Sequence, residues 1–134
     1  MTSSTYYLNG AEPDVVGKIC TGFYLLHFYK DAQIRDIVNV AYLEFDRQWH
    51  RLYFDGLSVF WRSSDRPENP ENSDLASGLI LNDLAGMSTV VGHSLVSVDY
   101  SGSDNGVDVH LVFSSGKSIW FRHSSVSDTT QFDG

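Results

Sequence analysis

Short runs of β-branched and aromatic residues, broken by turn-forming residues, recur along the chain and predict β-strands. Two of these runs flank Asp55-Gly56, and two others flank Ser115-Gly116. Glycine adopts positive φ without steric cost and Asp tolerates it better than most residues, so these dipeptides suit tight turns. The pattern therefore predicts two β-hairpins, each with a two-residue turn.

The two predicted hairpins are near copies of each other. The sequence of residues 49–64, WHRLYFDGLSVFWRSS, returns as VHLVFSSGKSIWFRHS at residues 109–124, with a constant offset of 60 positions. A Val-Val-Gly sequence precedes each copy, so we predict an internal repeat of about residues 15–64 and 90–124. The aligned pairs include His50 with His110, Gly56 with Gly116, Ser58 with Ser118, Arg62 with Arg122 and Ser64 with Ser124.

Two-residue turns would fix the register of both hairpins. They predict that Leu52 pairs with Val59 and that Val112 pairs with Ile119. The two aligned histidines would then be half-buried partners of aromatic residues across the hairpin. The same register pairs His50 with Trp61, His110 with Phe121, Trp49 with Arg62, and Val109 with Arg122.

Both hairpins carry apolar side chains on both predicted faces, whereas a half-solvated sheet shows a cleaner alternation. Two explanations remain open: both faces are covered, or one face is an exposed aromatic surface that binds a partner. The predicted faces are Leu52, Val59 and Trp61 against Trp49, Tyr53 and Phe60 in the first hairpin, and Val112, Ile119 and Phe121 against Val109, Leu111, Phe113 and Trp120 in the second.

The same patterns place strands and connections along the rest of the chain. A polar connector at residues 65–74 and a short helix at residues 82–90, capped by Asn82, would join the two repeats. Residues 1–14 and 124–134 are polar, and we expect them to be loosely held. Seven strands are predicted, at residues 19–29, 35–45, 49–54, 58–63, 94–101, 107–113 and 117–123.

These elements define the expected fold class. The chain is predicted to be mainly β (α+β), a single domain of residues 1–134 in which a loop and helix at residues 65–89 join the two repeats. We expect an antiparallel sandwich or half-barrel of about seven strands, built from two related meanders with one short helix.

The net charge of the chain favours one class of binding partner. The chain has 17 acidic and 9 basic residues, for a formal net charge of −8. Binding to a nucleic-acid backbone needs a basic surface, so we expect no nucleic-acid partner and favour a basic protein partner. The chain itself is expected to be a monomer or a weak homodimer.

Cysteine content and hydropathy indicate the compartment. Cys20 is the only cysteine, so it makes no internal disulfide and suits a reducing environment as a buried apolar residue. No apolar run is long enough to span a bilayer, and residues 1–14 lack the features of a secretory signal. We therefore expect a cytoplasmic protein with no membrane association.

Motifs for catalysis or metal binding are not found in the sequence. The five histidines show no His-x-His, His-x3-His or His-Glu-x2-His spacing, so no metal and no cofactor is predicted. The sequence also has no nucleophile elbow and no phosphate-binding loop, so we expect no enzyme and assign no catalytic residue. An enzyme centred on His50 or His110 remains a further alternative.

One pattern resembles a known group of proteins. Val90-Val91-Gly92, an apolar strand, a turn and then h-x-h-x-F-x-x-G-x-x-h-x-h extend through Arg122, with a partial echo in residues 15–62. This pattern resembles small bacterial immunity proteins that accompany polymorphic or contact-dependent toxins. The resemblance implies a protein that binds a cognate toxin domain and blocks it.

Two hypotheses for the binding site follow. In the first, acidic connector residues attract a basic toxin domain, and aromatic and arginine side chains hold it. In the second, the chain binds a small ligand in an aromatic-lined cavity between the meanders, formed by Trp49, Trp61, Trp120 and the histidines. The predicted partner-binding residues are Asp65, Glu68, Glu71, Trp49, Arg62, Trp120 and Arg122.

Overall fold

The computed structural model of the chain describes residues 6–31, 33–70 and 77–134. These residues form ten β-strands and no helix. In chain order the strands are β1 (Tyr7–Asn9), β2 (Cys20–Lys30), β3 (Gln33–Phe45), β4 (Gln48–Asp55), β5 (Ser58–Ser64), β6 (Ser77–Asp83), β7 (Leu95–Ser103), β8 (Gly106–Phe113), β9 (Ser118–Ser124) and β10 (Thr129–Asp133).

The strands form two sheets. The larger has the order β1-β5-β4-β3-β2-β6, and the smaller has the order β10-β9-β8-β7. Neighbouring strands are antiparallel, except that β1 pairs with β5 in parallel. The prediction of a mainly β fold with antiparallel strands is confirmed.

The core lies between the two sheets and takes side chains from both. Phe23 and Leu52 of the six-stranded sheet and Leu111 and Phe121 of the four-stranded sheet are fully buried. The rings of Phe23 and Phe121 meet edge to face, with their centroids 6.4 Å apart. Burial of each such side chain contributes about 1.5–3 kcal/mol, so this apolar layer holds the sheets together.

The short helix predicted at residues 82–90 is wrong. Strand β6 ends at Asp83, and successive turns follow, in which the Met87 amide donates to the Leu84 carbonyl and the Val90 amide to the Met87 carbonyl. These turns place Leu84, Met87 and Val90 against the core, three residues apart. The apolar spacing that resembled a helix therefore comes from consecutive turns.

Three strands were not predicted, and two of them lie in the terminal segments expected to be loose. Strand β1 forms an edge of the larger sheet beside β5, and β10 forms an edge of the smaller sheet beside β9. The third, β6, pairs with β2 from Tyr24 to Lys30. All three are edge strands, and the pairing with a neighbour supplies the order that their own sequences do not indicate.

The turns of the two hairpins differ in length by one residue. In the first hairpin Asp55 pairs with Ser58, so the turn consists of Gly56, with φ of 60°, and the residue after it. In the second hairpin the Phe113 amide donates to the Lys117 carbonyl, which leaves three residues in the turn and places Gly116 at φ of 85°. The predicted turn length is thus right for the first hairpin, although the turn lies one residue later than the predicted Asp55-Gly56, and it is wrong for the second.

The position of the first turn and the length of the second both change the register. In the first hairpin Leu52 pairs with Trp61 instead of Val59, a shift of two positions that keeps every side chain on its predicted face. In the second hairpin Val112 pairs with Ser118 instead of Ile119. A shift of one position exchanges the faces of one strand relative to the other, so the predicted faces of that hairpin are wrong.

The two aligned histidines consequently lie in different surroundings. His50 shares the inner face with Leu52, and the Phe45 ring lies 6.5 Å from it. His110 pairs with Trp120 on the outer face of the smaller sheet, rather than with Phe121. Side chains of Val107, Val109, Leu111, Phe113, Ile119 and Phe121 form the buried face of the second hairpin.

Candidate protein-binding surface

The outer face of the six-stranded sheet carries aromatic and arginine side chains. Cross-strand pairing puts Tyr24, Tyr42, Arg51 and Arg62 in one row across four strands, and Tyr53 pairs with Phe60 in the next. All six are half-buried. We call these six residues, together with Trp49, the aromatic–arginine face.

Trp49 lies on this face and is 8% exposed. It occupies space above Gly22, where an added Cβ would come 2.5 Å from its indole ring, and its ring centroid is 5.6 Å from that of Tyr24. Gly22 thus makes room for the indole by having no side chain. The structure therefore places this predicted site residue on the outer face, where its side chain is largely buried and packs against Tyr24.

Stacked rings organise the middle of the face. The rings of Tyr53 and Phe60 are parallel within 4° and 4.9 Å apart. The Arg51 guanidinium lies 5.9 Å from the Tyr53 centroid, and the Arg62 guanidinium lies 5.5 Å from the Phe60 centroid. Cation–π contacts of this kind are worth about 0.5–1 kcal/mol at exposed sites. They hold the two arginines over the aromatic rings.

Arg62 also attaches the first strand to the sheet. Its Nη1 donates to the Asn9 carbonyl at 2.6 Å and to the Trp61 carbonyl at 2.8 Å, and its Nη2 donates to the Asn9 side chain. A Cβ on Gly10 would collide with this guanidinium, and Gly10 has φ of 89°. Three of the five N–H donors of Arg62 are therefore used within the chain.

A groove of about 780 Å³ opens beside Arg51. Tyr42, Gln48 and Arg51 line it from the sheet, and the connector after β5 supplies Asp65 and Glu68 from the other side, together with Arg66. Two of the three predicted acidic residues thus lie next to the aromatic–arginine face. Glu71, the third, lies outside the described residues.

The two other predicted site residues, Trp120 and Arg122, lie on the opposite outer face, that of the four-stranded sheet. The His110 ring stacks on the Trp120 ring at 3.8 Å and 7°, and the Arg122 guanidinium lies 4.4 Å from the Trp120 centroid. Arg122 also pairs with Asp108 at 3.3 Å and Asp133 at 3.0 Å. We call these five residues the Trp120 cluster.

The three tryptophans do not line one cavity. Trp49 and Trp120 lie on the two outer faces, whereas Trp61 lies between the sheets. The Trp61 indole donates to the Tyr100 hydroxyl at 2.9 Å, and that hydroxyl donates to Glu12. Burial, together with the hydrogen bond to Glu12, raises the pKa of Tyr100, so this hydroxyl stays protonated and ties the sheets together.

A titratable cluster not anticipated from the sequence joins the two sheets near β10. His123 is 4% exposed, and its Nδ1 lies 2.9 Å from the Thr130 hydroxyl, while the Thr130 amide donates to Asp36. Burial lowers the pKa of His123 and raises that of Asp36, and the carboxylates of Asp128, Asp36 and Asp55 partly offset the shift of the histidine. No group of three metal-ligating side chains is found in residues 6–31, 33–70 and 77–134.

Cys20 is fully buried, and its thiol donates to the Gly22 carbonyl. Burial raises the pKa of this thiol to about 11. The group is therefore a protonated part of the core at neutral pH, with none of the thiolate character of a nucleophile.

The described parts of the chain include no helix with the length and hydropathy of a membrane span. Comparison of the chain with protein-family models, with curated proteins and with solved structures found no significant match.

Proposed function

We propose that the chain is a non-catalytic protein that binds and neutralises a protein toxin through its aromatic–arginine face. The observation that supports this most directly is the composition of that face. Tyrosine and arginine carry much of the binding energy at protein interfaces, because they combine large contact area with directed hydrogen bonds. Here Tyr24, Tyr42, Tyr53 and Arg51 are half-buried on one sheet face.

Charge supports a basic partner. The net charge of −8 and the exposed carboxylates of Asp65 and Glu68 at the rim of the groove would attract a positively charged toxin domain. Such long-range attraction raises the association rate, while the aromatic side chains slow dissociation. We propose that the chain acts in the cytoplasm as a monomer or a weak homodimer.

A non-catalytic role agrees with the state of the titratable groups. The thiol of Cys20 is buried and protonated, and His123 is enclosed between the sheets beside Thr130. Trp120 and Arg122, on the opposite face, stay a prediction for a second contact with the partner.

The test is a binding measurement with a matched control. The purified chain would be used to capture the product of the neighbouring gene and host proteins at low and raised salt, and the affinity for any stoichiometric partner would be measured. Tyr53→Ala should weaken binding at least tenfold, whereas Val126→Ala, at a position 79% exposed and away from this face, should not. A toxin that binds both variants equally, or no stoichiometric partner, would count against the proposal.

Small-ligand binding is a second candidate, because the groove beside Arg51 has a volume of about 780 Å³. A ligand that binds only the folded state raises the melting temperature. A thermal-shift screen in which Tyr42→Ala abolishes the shift would favour this candidate over the protein-binding one.

A further inference from the structure

Arg51 differs from Arg62 and Arg122 in having no hydrogen-bond acceptor among the described residues. Its Nε–H is buried, and no hydrogen-bond partner for it lies among the described residues. None of the carboxylates in those residues forms an ion pair with it, although the chain has 17 acidic residues. Arg122, by contrast, is paired with both Asp108 and Asp133.

The surroundings of Arg51 make its unpaired, partly buried guanidinium more unfavourable. Arg51 lies directly opposite Arg62 in the β4–β5 pair, and like charges in that position repel each other. Hydrogen bonds from Arg62 to Asn9 and Trp61 favour a position of its guanidinium beside this strand pair. A charged group with an unpaired donor is costly to bury, and an acceptor that binds the Nη groups of the same guanidinium would offset part of that cost.

The geometry points to a carboxylate as that acceptor, and we propose that Arg51 is a binding site for an acidic side chain of the toxin. A guanidinium binds a carboxylate with two parallel hydrogen bonds, and the ring of Tyr53, 5.9 Å away, holds the guanidinium plane in place. Tyr42 lines the same groove and offers a hydroxyl donor, whereas the side-chain amide of Gln48 already donates to the Trp49 and Ser64 carbonyls.

The charges around the groove do not favour a polyanion. Asp65 and Glu68 line it together with Arg51 and Arg66, so the lining carries no net positive charge for a chain of phosphates, whereas a single carboxylate on a basic surface needs only one guanidinium. This inference rests on the proposed function, since it names one contact of that interface: a lone acidic residue surrounded by basic ones.

A first experiment needs no partner. The Nε–H signals of the arginines in the ¹⁵N-labelled full chain would be followed by NMR while acetate replaces chloride at constant ionic strength. The Arg51 signal should shift and saturate, while those of Arg122, already paired, and Arg47, exposed in the β3–β4 turn, should not. Equal, non-saturating changes at all three would overturn the proposal, as would a larger response to inorganic phosphate than to acetate.

A second experiment uses a captured toxin. Arg51→Gln should weaken its binding about 30-fold, because one side of a buried charged contact is removed, whereas Arg47→Gln should change binding less than threefold. A captured toxin that binds both variants alike would overturn the Arg51 site and leave the proposed function standing. A saturating acetate response, together with failure to capture any protein partner, would support the Arg51 carboxylate site and contradict the proposed function.

Discussion

The two hairpins, β4–β5 and β8–β9, have nearly the same sequence, yet they direct different side chains to the core. In β5 and β9 the copies agree, since Val59 and Ile119 are both buried at an offset of 60. In β4 and β8 they do not, because the buried leucines are Leu52 and Leu111, at an offset of 59. One additional turn residue is the cause, and it moves the second histidine from the inner face to the outer one.

The largest expected effect tests this register directly. Leu111→Ala should lower the free energy of unfolding by about 2–5 kcal/mol, because it leaves a cavity between the sheets. Val112→Ala, on the outer face, should cost less than about 1 kcal/mol. Urea denaturation of both variants checks the order. A larger loss for Val112→Ala would mean that the hairpin has the two-residue turn its sequence suggests.

The next effect concerns the turns themselves. Gly56→Ala and Gly116→Ala should each cost about 1 kcal/mol, since both glycines have positive φ and an added Cβ would meet no atom within 4 Å. The loss would therefore come from the backbone alone. Gly86→Ala, also without near neighbours but without positive φ, is the matched control and should be neutral or slightly stabilising. Equal melting temperatures for all three variants would contradict the turn assignment.

A smaller effect on stability, and its dependence on salt, should distinguish the two aligned arginines. Arg62 binds neutral groups of Asn9 and Trp61, whereas Arg122 binds the carboxylates of Asp108 and Asp133. Arg122→Gln should cost at most about 1 kcal/mol at low salt and less at 1 M salt, because exposed ion pairs are weak and screened. Arg62→Gln should cost a similar amount that salt does not change. Denaturation at two salt concentrations checks this, and a salt-independent loss at Arg122 would disprove it.

The sequence was sufficient for seven strands, including the edge strand β7, but it missed three others that lie at sheet edges. All seven predicted strands form, because β-branched and aromatic runs between turns carry their own signal. Strands β1, β6 and β10 have weak signals and depend on β5, β2 and β9 for their hydrogen bonds. Register was harder still, since one residue in a Gly-containing turn decides it and both turn lengths suit the sequence.

The candidate site was predictable in composition but not in arrangement. Apolar residues on both hairpin faces left an exposed aromatic surface open as one of two explanations, and Asp65 and Glu68 lie beside the aromatic–arginine face. The sequence could not show that Trp120 and Arg122 lie on the other sheet, because that depends on how the two sheets pack. Arg51 was not selected either: only the pairing with Arg62 and the missing acceptor distinguish it.

The smallest expected effect comes from a position at which the copies differ, Ser63 in the first hairpin and His123 in the second. Ser63 is exposed, whereas His123 is buried and stacks on Phe54 at 5.5 Å. Burial lowers the pKa of His123 below 6.5 in the folded chain. The unfolded chain therefore takes up a proton first as the pH falls below 6.5, so the contribution of His123 is complete above that pH and is lost on acidification.

Protonation of Asp36 changes the free energy of unfolding in the opposite direction, so the contributions of Asp36 and His123 can be distinguished. Burial raises the pKa of Asp36 above 3.8, so the folded chain binds its proton more tightly and gains relative stability as the pH falls toward that value. His123→Phe should flatten the decline in unfolding free energy between pH 7 and pH 5, whatever its effect on absolute stability. Asp36→Asn should leave that decline in place or steepen it. If urea denaturation across this range gave the same slope for His123→Phe and for the unaltered chain, the buried histidine would not be the group that titrates.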